Sequence, residues 1–392
     1  MDWIEKELHA LAGVSLEREL VEYAPANGLP GHTMREGRLL LDLSSNDYLG
    51  LTGHPVIAAA MSRAAHDEGN GAGASRLVTG NRPAYGRLER MLAEWQGKEA
   101  ALVFANGYAA NIGVIGSLAG RGDAVFSDRL NHASIVDGIA LSRAEHARYR
   151  HNDPEHLRWL LEKNRHARRK LIVTDAVFSM DGDKAMLGEL VLLKREFGAM
   201  LMVDEAHSGG VYGRHGEGLS RTLGLQEDVD VHMGTFSKAF GVYGGYVCGN
   251  RSLIRWLINK ARPLVYSTAL PPAVIGGVIA ALELVRKEAW RRERLTETTG
   301  TFRASLRAAG FDVGYSDSPI VPVIVGDSAA ALRFGAALAE EGIAAVAIRP
   351  PTVPGGTARI RFTLSASHDE SVMKAAAEMI RKAGMKAGVL AP

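Results

Sequence analysis

The sequence predicts an α/β protein with a mainly parallel central sheet covered by helices, followed by a smaller α/β domain at the C-terminal end. Two observations lead to this fold class. Between about Asp47 and Val285, short apolar runs alternate with helix-length segments, a pattern typical of parallel strands with helices on both faces. After about Glu288, a basic amphipathic helix is followed by a second, shorter series of strand-like and helical segments.

The large domain has its clearest strand signals in short apolar runs, several of which end at polar residues. Ligands of open α/β sheets bind outside the carboxyl ends of strands, so these endings predict a site at that edge. The uncharged stretch Ala100–Gly120 predicts a buried helix with a turn at its start, and Val274–Lys287 predicts a long closing helix. The predicted strands are Ala124–Ser127, Lys170–Asp175, Ala199–Asp204, Val229–Met233 and Gly244–Cys248.

The small domain is predicted from the elements that follow the basic helix. Consecutive prolines exclude residues 349–352 from regular helix and from a central strand. The changes in pattern predict an N-terminal arm at 1–45 that packs with the small domain, a large domain at 46–287 and a small domain at 288–392. The predicted elements of the small domain are the strand Ile320–Val325, the helix Ser328–Glu341, the strands Ala344–Ile348 and Ala358–Leu364, and a helix from about His368.

The composition excludes several classes of protein. The 392 residues include 46 Lys+Arg and 44 Asp+Glu, and the net charge of +2 predicts neither a nucleic-acid partner nor a membrane surface. Cys248 is the single cysteine, so no internal disulfide forms, and a reducing, cytoplasmic location is predicted. The histidines show no zinc-ligand spacing, and no metal site is predicted.

A lysine in a turn of small and hydroxyl residues is the first sign of a cofactor site. The segment Gly234–Gly241 directly follows the predicted strand Val229–Met233 and contains Lys238. Such a lysine can form a Schiff base with an aldehyde cofactor, and the Thr235 hydroxyl with nearby amides can bind its phosphate. A surface lysine in an ordinary loop explains the turn equally well when the turn is taken alone.

An aspartate and two histidines strengthen the case for pyridoxal 5′-phosphate (PLP). Asp204 ends a predicted strand, and a carboxylate paired with a pyridine nitrogen favours the protonated ring that serves as an electron sink. His207 can reach the phenolic oxygen of the same ring, and His132 can stack on its face. Each residue alone is compatible with a strand end or a helix cap, so the inference depends on their combination with Lys238.

Motifs along nearly the whole chain agree with this interpretation. They are Ser45–Gly50, Gly73–Gly80, Asn106–Asn111, Asp128–Ser134, Phe178–Asp183, Val203–His207, Gly234–Gly241, Tyr266–Thr268 with the prolines at 271 and 272, and Arg349–Arg361. Together they resemble the α-oxoamine synthase family of fold-type I PLP-dependent transferases. The resemblance implies an acyl transfer from a thioester to an amino acid, and a homodimer with shared active sites.

The resemblance also implies a role for each site residue. Lys238 would hold the cofactor covalently and later move the α-proton of the amino acid, while Asp204 pairs with the pyridine nitrogen. His207 would pair with the phenolic oxygen, and His132 would stack on the ring and contact substrate. The rest of the cofactor pocket would consist of Gly107, Tyr108, Ser179 and Thr235, with Ser267 and Thr268 from the neighbouring subunit. The other substrate contacts would be Arg18, Asn46, Thr352 and Arg361, with Arg361 holding the amino-acid carboxylate in a bidentate pair.

Two segments bear on the choice of substrates within the family. Arg76–Asn81 and Arg349–Pro354 resemble the versions found in members that join L-alanine to a pimeloyl thioester in biotin biosynthesis. Pimeloyl-CoA and pimeloyl-carrier protein both remain open as the donor, and glycine-using members, such as a glycine C-acetyltransferase, remain an alternative. A non-catalytic binding or regulatory subunit is a remote alternative, because such a relative is expected to lack Lys238 or Asp204.

Overall fold

The computed structural model of the chain describes residues 2–391, which form two compact units. The larger unit comprises Leu51–Phe178 and Lys184–Arg292. The smaller unit comprises the described residues of Met1–Gly50, Ser179–Asp183 and Glu293–Pro392. The domain division expected from the sequence remains a prediction. Among residues 2–391, no helix is both long enough and apolar enough to cross a membrane.

The secondary structure is numbered in chain order. The strands are β1 (Ala24–Pro25), β2 (His32–Arg35), β3 (Arg38–Asp42), β4 (Ala100–Phe104), β5 (Ala124–Asp128), β6 (Glu145–Tyr149), β7 (Lys170–Asp175), β8 (Met200–Asp204), β9 (Val231–Thr235), β10 (Gly245–Gly249), β11 (Ile320–Gly326), β12 (Ile343–Ala344), β13 (Ala347–Ile348) and β14 (Ala358–Thr363). The helices are α1 (Asp2–Gly13), α2 (Pro55–Glu68), α3 (Pro83–Gln96), α4 (Gly107–Leu118), α5 (Ala133–Ser142), α6 (Pro154–Lys163), α7 (Leu187–Phe197), α8 (Leu219–Thr222), α9 (Arg251–Lys260), α10 (Arg262–Val265), α11 (Pro272–Lys287), α12 (Ala289–Ala308), α13 (Ser328–Glu340) and α14 (Glu370–Lys386), with a π-helical turn at Arg76–Gly80.

A seven-stranded sheet with the order β4-β10-β9-β8-β7-β5-β6 forms the centre of the larger unit. The strands β9, β8, β7, β5 and β6 pair in parallel, whereas β10 is antiparallel to both of its neighbours. Helices α3, α4, α6, α7 and α9 pack against the strands, and apolar side chains of α4, α5 and α9 form a buried core with the sheet. The predicted α/β fold with a mainly parallel sheet is confirmed.

Two predictions within this sheet are wrong in detail, and one strand is missing from the prediction. Ala100–Phe104 is a strand, and α4 begins only at Gly107, because hydrophobic periodicity does not separate a short buried strand from a buried helix. The outer strand Glu145–Tyr149 is not predicted, since its exposed polar residues break the apolar run. The run at Gly245–Gly249 forms an antiparallel strand where parallel strands are predicted, because periodicity carries no information on strand direction.

The smaller unit contains two sheets that join segments from distant parts of the chain. One has the order β1-β2-β3-β12, in which β12 pairs in parallel with β3, and the other has the antiparallel order β11-β14-β13. The predicted strand Ala344–Ile348 is therefore wrong, because the segment forms two short strands in different sheets. The long helix begins at Pro272 rather than at Val274, and the last helix begins at Glu370.

A glycine in β10 allows the first turn of α4 to approach the sheet. A Cβ atom at Gly245 would lie 2.7 Å from the backbone carbonyl carbon and oxygen of Asn106, a distance that side chains do not tolerate. Asn106 caps α4 by accepting a hydrogen bond from the Ala109 N–H at 2.8 Å. The start of this helix is thereby placed beside the end of β9, where the lysine turn begins.

Candidate active site

The turn that follows β9 carries Lys238 between two buried phenylalanines, Phe236 and Phe240, which we call its apolar base. Phe236 and Phe240 are fully buried, and their rings meet edge to face with 5.6 Å between centroids. Lys238 is half-buried, and its Nζ lies 2.7 Å from Nε2 of His207. Because a protonated amine only donates hydrogen bonds, Nε2 of His207 accepts when Lys238 is charged. The structure therefore brings together the predicted lysine and one of the predicted histidines.

Asp204 lies at the carboxyl end of β8 and is only 3% exposed. Its Oδ2 accepts a hydrogen bond from Asn111 Nδ2 at 2.8 Å, and its Oδ1 accepts one from the Ala206 N–H at 2.9 Å. Donors on both oxygens are typical of an ionised carboxylate, yet no salt bridge to Asp204 occurs within residues 2–391. A buried carboxylate without a cationic partner is costly, and a protonated pyridine nitrogen would supply that partner.

A second aspartate lies opposite Asp204 on the neighbouring parallel strand. Asp175 is in register with Asp204, and its Oδ2 accepts a hydrogen bond from the His132 backbone N–H at 2.8 Å. Burial, with a further contribution from the charge on Asp204, raises the pKa of Asp175 well above its ordinary value. The neutral acid is thereby favoured at Asp175, whereas both carboxylate oxygens of Asp204 accept hydrogen bonds from N–H donors. No role for Asp175 is predicted from the sequence, although both aspartates end predicted strands.

His132 is the N-terminal cap of α5 and is exposed as a residue, whereas the Nδ1 edge of its ring is turned towards Ser134. Nδ1 lies 2.7 Å from Ser134 Oγ and accepts the Ser134 N–H at 3.3 Å. Partial withdrawal from water lowers the pKa of His132, and the negative charge of Asp204 opposes that effect. We call Lys238, His207, Asp204 and His132 the Lys238 cluster.

The start of α4 and Thr235 form a second part of the site. The first N–H groups of a helix have no acceptor within the helix, so those of Gly107 and Tyr108 are suited to an anion such as phosphate. A Cβ atom at Gly107 would lie 3.6 Å from the Cβ of Thr235, which places the two side by side. The Tyr108 hydroxyl donates a hydrogen bond to Asp137, and this bond raises the pKa of Tyr108.

Ser267 and Thr268 lie in an exposed loop, and neither hydroxyl makes a hydrogen bond within residues 2–391. The backbone of this loop is fixed by a bridge between Thr268 and Ser75 and by a hydrogen bond from the Leu270 N–H to Tyr85 Oη at 2.7 Å. A contribution of both hydroxyls to a neighbouring subunit remains a prediction.

In the smaller unit, Arg361 is a buried cation without a carboxylate partner among the described residues. It lies on β14 and is 7% exposed. Its guanidinium donates to Asn46 Oδ1 at 3.1 Å, to Thr363 Oγ1 at 2.9 Å and to the Ser179 carbonyl. Arg359, two residues earlier on the same strand, is instead paired with Asp181. Since a guanidinium has five N–H donors, Arg361 retains donors for a carboxylate ligand.

Two further residues predicted to contact substrate are brought together in the same unit. Arg18 Nη2 donates a hydrogen bond to Thr352 Oγ1 at 3.2 Å. Arg349 holds the N-terminal segment against this turn by donating to the carbonyl oxygens of Ser15 and, at 3.0 Å, Glu17. Long-range contacts of this kind carry no signal in local sequence.

Comparisons with known proteins point to one group of enzymes. The family described as aminotransferase class I and II matches residues 39–380. The chain is 55% identical over 369 residues to the 8-amino-7-oxononanoate synthase of Anaeromyxobacter dehalogenans, covering 94% of this chain and 92% of the relative. It is 50% identical over 384 residues to a putative 8-amino-7-oxononanoate synthase of Halalkalibacterium halodurans, covering 97% and 96%.

Solved structures give the same fold. A serine palmitoyltransferase from S. paucimobilis with bound PLP and myriocin superposes with a TM-score of 0.93 at 33% identity, covering 99% of this chain and 98% of that one. An 8-amino-7-oxononanoate synthase from Francisella tularensis superposes with a TM-score of 0.76 at 28% identity, covering 88% and 97%. Of these two solved structures, the serine palmitoyltransferase backbone superposes more closely than that of the Francisella enzyme.

Proposed function

The chain belongs to the aminotransferase class I and II family, and we propose that it joins L-alanine to a pimeloyl thioester, releasing CO2 and the free thiol, to form 8-amino-7-oxononanoate for biotin biosynthesis. It is an acyltransferase with PLP as its cofactor. The observation that carries the proposal is the buried Asp204 carboxylate, which makes no salt bridge among residues 2–391 and shares a cluster with Lys238. The relatives at 50–55% identity supply the reaction.

The Lys238 cluster provides the groups that this chemistry needs. Bound PLP supplies an electron sink that stabilises negative charge on the α-carbon of the amino acid. Lys238 Nζ holds the cofactor and, as a free amine, takes the α-proton of alanine and later returns one. Asp204 keeps the ring nitrogen protonated, and His207 orients the phenolic oxygen. His132 offers its exposed ring for stacking, and Gly107, Tyr108 and Thr235 of the larger unit contribute to the cofactor pocket. Ser179 is proposed as a further cofactor contact.

The smaller unit provides the anion-binding groups for the substrates. Arg361 binds the carboxylate of alanine in a bidentate pair, and Asn46 with Thr363 fixes the plane of its guanidinium. Arg18 and Thr352 contact substrate beside the arm, where their mutual hydrogen bond orients both side chains. The proposed location is the cytoplasm, since a single buried free cysteine suits a reducing compartment.

A matrix of substrates tests the proposed reaction. Alanine, glycine and serine are each combined with pimeloyl-, acetyl-, succinyl- and palmitoyl-CoA, and the products are identified by mass. We expect 8-amino-7-oxononanoate from alanine and pimeloyl-CoA to form fastest, with pimeloyl-carrier protein assayed in parallel as the other donor. Faster turnover of glycine with acetyl-CoA would instead establish the 2-amino-3-ketobutyrate ligase alternative. Faster turnover of serine with palmitoyl-CoA would establish a serine palmitoyltransferase activity.

A homodimer with shared active sites is proposed as the functional unit. We expect a mixture of two inactive variants, Lys238→Ala and the double variant Ser267→Ala with Thr268→Ala, to regain activity after subunit exchange. In a heterodimer with shared sites, both defects fall in one site and the other site is intact. The measurement is turnover after mixing, with heterodimer formation confirmed by two affinity tags.

The control for this mixing experiment is the Lys238→Ala variant mixed with Lys238→Asn, where both defects fall at the same position and no activity returns. If the tagged heterodimer of the first pair forms and stays inactive, while the double variant alone is also inactive, each subunit completes its own pocket and the shared-site model is wrong.

A further inference from the structure

We propose that Asn111 and Ser134 are positioning residues that hold His132 in the tautomer protonated at Nε2, through a hydrogen-bond chain that begins at the Asp204 carboxylate. This series of hydrogen bonds joins the end of β8 to α4 and α5 within the larger unit. It deepens the proposed function by assigning what fixes the imidazole of that site. Its structural part does not depend on which amino acid or thioester the enzyme uses.

The direction of the chain is fixed at its first end by Asp204. A carboxylate oxygen only accepts hydrogen bonds, so the group that faces Asp204 Oδ2 at 2.8 Å must be the NH2 of Asn111. The same nitrogen lies 2.8 Å from Ser134 Oγ. One hydrogen of the amide therefore points at the carboxylate and the other at the serine oxygen. A flipped amide would place its oxygen against a negative charge.

The direction is fixed independently at the other end by the backbone of Ser134. A backbone N–H only donates, and that of Ser134 lies 3.3 Å from His132 Nδ1, so Nδ1 is an acceptor. Ser134 Oγ, at 2.7 Å from Nδ1, donates its own proton to the same atom while it accepts from Asn111. The donors and acceptors assigned from the two ends agree. Because Nδ1 of His132 accepts, the proton of a neutral His132 must lie on Nε2.

The environment of Asn111 argues for a role beyond packing. Asn111 is 1% exposed and Ser134 is fully buried. Asn111 Oδ1 is buried and has no hydrogen-bond partner within residues 2–391. An unsatisfied buried oxygen destabilises a fold, and an apolar side chain of similar size would avoid it. The amide side chain is therefore explained by its nitrogen, which donates hydrogen bonds to both Asp204 and Ser134.

The consequence for the site is a His132 ring that cannot flip freely. Two donors hold its Nδ1 edge, so its exposed side presents an Nε2–H donor in a constant direction. The lowered pKa of His132 agrees with a neutral ring. Because Asn111 bridges Asp204 and Ser134, a loss of charge at Asp204 weakens the polarisation of the whole chain and reduces the preference for one tautomer.

Solid-state nitrogen NMR on the holoenzyme with ¹⁵N-labelled histidine tests the tautomer directly. The His132 signals are assigned by their loss in His132→Asn. In the wild type we expect a protonated Nε2 and an unprotonated Nδ1, with widely separated shifts. In Ser134→Ala and Asn111→Ala, the two shifts should move towards each other as the second tautomer becomes populated. A proton on Nδ1 in the wild type, or unchanged shifts in both variants, would overturn the proposal.

Kinetics on the same variants provide a second readout. We expect Ser134→Ala to lower kcat about tenfold, with the KM for the amino acid changed about twofold or less, because the lost group orients His132 and does not bind substrate. Ser134→Thr, which retains a hydroxyl, should restore the tautomer and most of kcat. The matched control is Ser142→Ala on the same helix, since the Ser142 hydroxyl donates to the Ile139 carbonyl and accepts from the Ala144 N–H.

Each remaining outcome is decisive. If Asn111→Ala unfolds, as judged by circular dichroism, Ser134→Ala and Ser134→Thr carry the test alone. Equal losses of kcat in Ser134→Ala and Ser142→Ala, with unchanged His132 shifts, would reduce Ser134 to a packing residue and refute the proposal. A different preferred substrate pair would refute the proposed function while leaving the tautomer measurement valid, so the two failures are distinguishable.

Discussion

Replacement of Lys238 by alanine is expected to lower turnover by at least about 10⁴-fold while the fold persists. The half-buried Nζ is the only amine in the Lys238 cluster, so its loss removes both the covalent hold on the cofactor and the base that moves the α-proton. The apolar base formed by Phe236 and Phe240 is untouched, and far-UV circular dichroism should match the wild type. Turnover is measured by steady-state assays, and bound cofactor is measured by its visible absorbance band at about 420 nm.

The matched control for this change is Lys260→Ala, which removes an exposed lysine from α9 in the same unit. Its turnover and absorbance should equal those of the wild type. Borohydride reduction followed by peptide mapping identifies the lysine that holds the cofactor. Attachment to any lysine other than Lys238 would show that the site has been assigned to the wrong turn.

Asp204→Asn is expected to slow exchange of the alanine α-proton about 10³-fold, equivalent to about 4 kcal/mol of transition-state stabilisation. A neutral amide does not favour a protonated ring nitrogen, so the electron sink is lost. The structure adds a second reason. Both carboxylate oxygens already accept from N–H donors, Asn111 and the Ala206 backbone, and the NH2 of an asparagine would face one of these donors.

Exchange is followed by deuterium incorporation into alanine without the thioester, which isolates this step from later ones. The control is Asp230→Asn, directly before β9, where the Asp230 carboxylate accepts from the Leu201 N–H near the start of β8 at 2.7 Å and pairs with Lys194. Asp230→Asn should change the midpoint of thermal unfolding at most, and the rate of α-proton exchange should equal that of the wild type. Near-normal exchange in Asp204→Asn would remove Asp204 from the ring-nitrogen role.

The sequence predicts a cofactor-binding centre because the residues that suggest it lie in short local motifs. The lysine turn follows one strand, and the Asp204–His207 motif ends another, so strand periodicity and residue type are enough to place them at one sheet edge. In the structure, Lys238 Nζ lies 2.7 Å from His207 Nε2, and the roles of both residues remain predictions. The resemblance to the α-oxoamine synthases adds the reaction class, which residue patterns alone do not supply.

The partners of these residues are less predictable. Asn111 lies in a motif that the sequence analysis singles out, yet its contact with Asp204 joins segments far apart in the chain. Asp137 and Tyr108 lie on successive helices, and their hydrogen bond depends on how α4 and α5 pack. Arg359 and Arg361 look alike in sequence, and only folding pairs Arg359 with a carboxylate and leaves Arg361 without a carboxylate partner among residues 2–391.

The sequence by itself determined the α/β class, five of the strands of the large sheet and the choice of candidate reactive groups, because these follow from local periodicity and side-chain chemistry. Only the tertiary structure decided the antiparallel direction of β10, the alignment of Asp175 with Asp204, and the hydrogen-bond chain from Asp204 to His132. The pairing direction and register of strands arise from contacts between segments that are distant along the chain. A buried polar group without a hydrogen bond costs free energy, and this cost favours the one hydrogen-bond arrangement in which buried groups are paired.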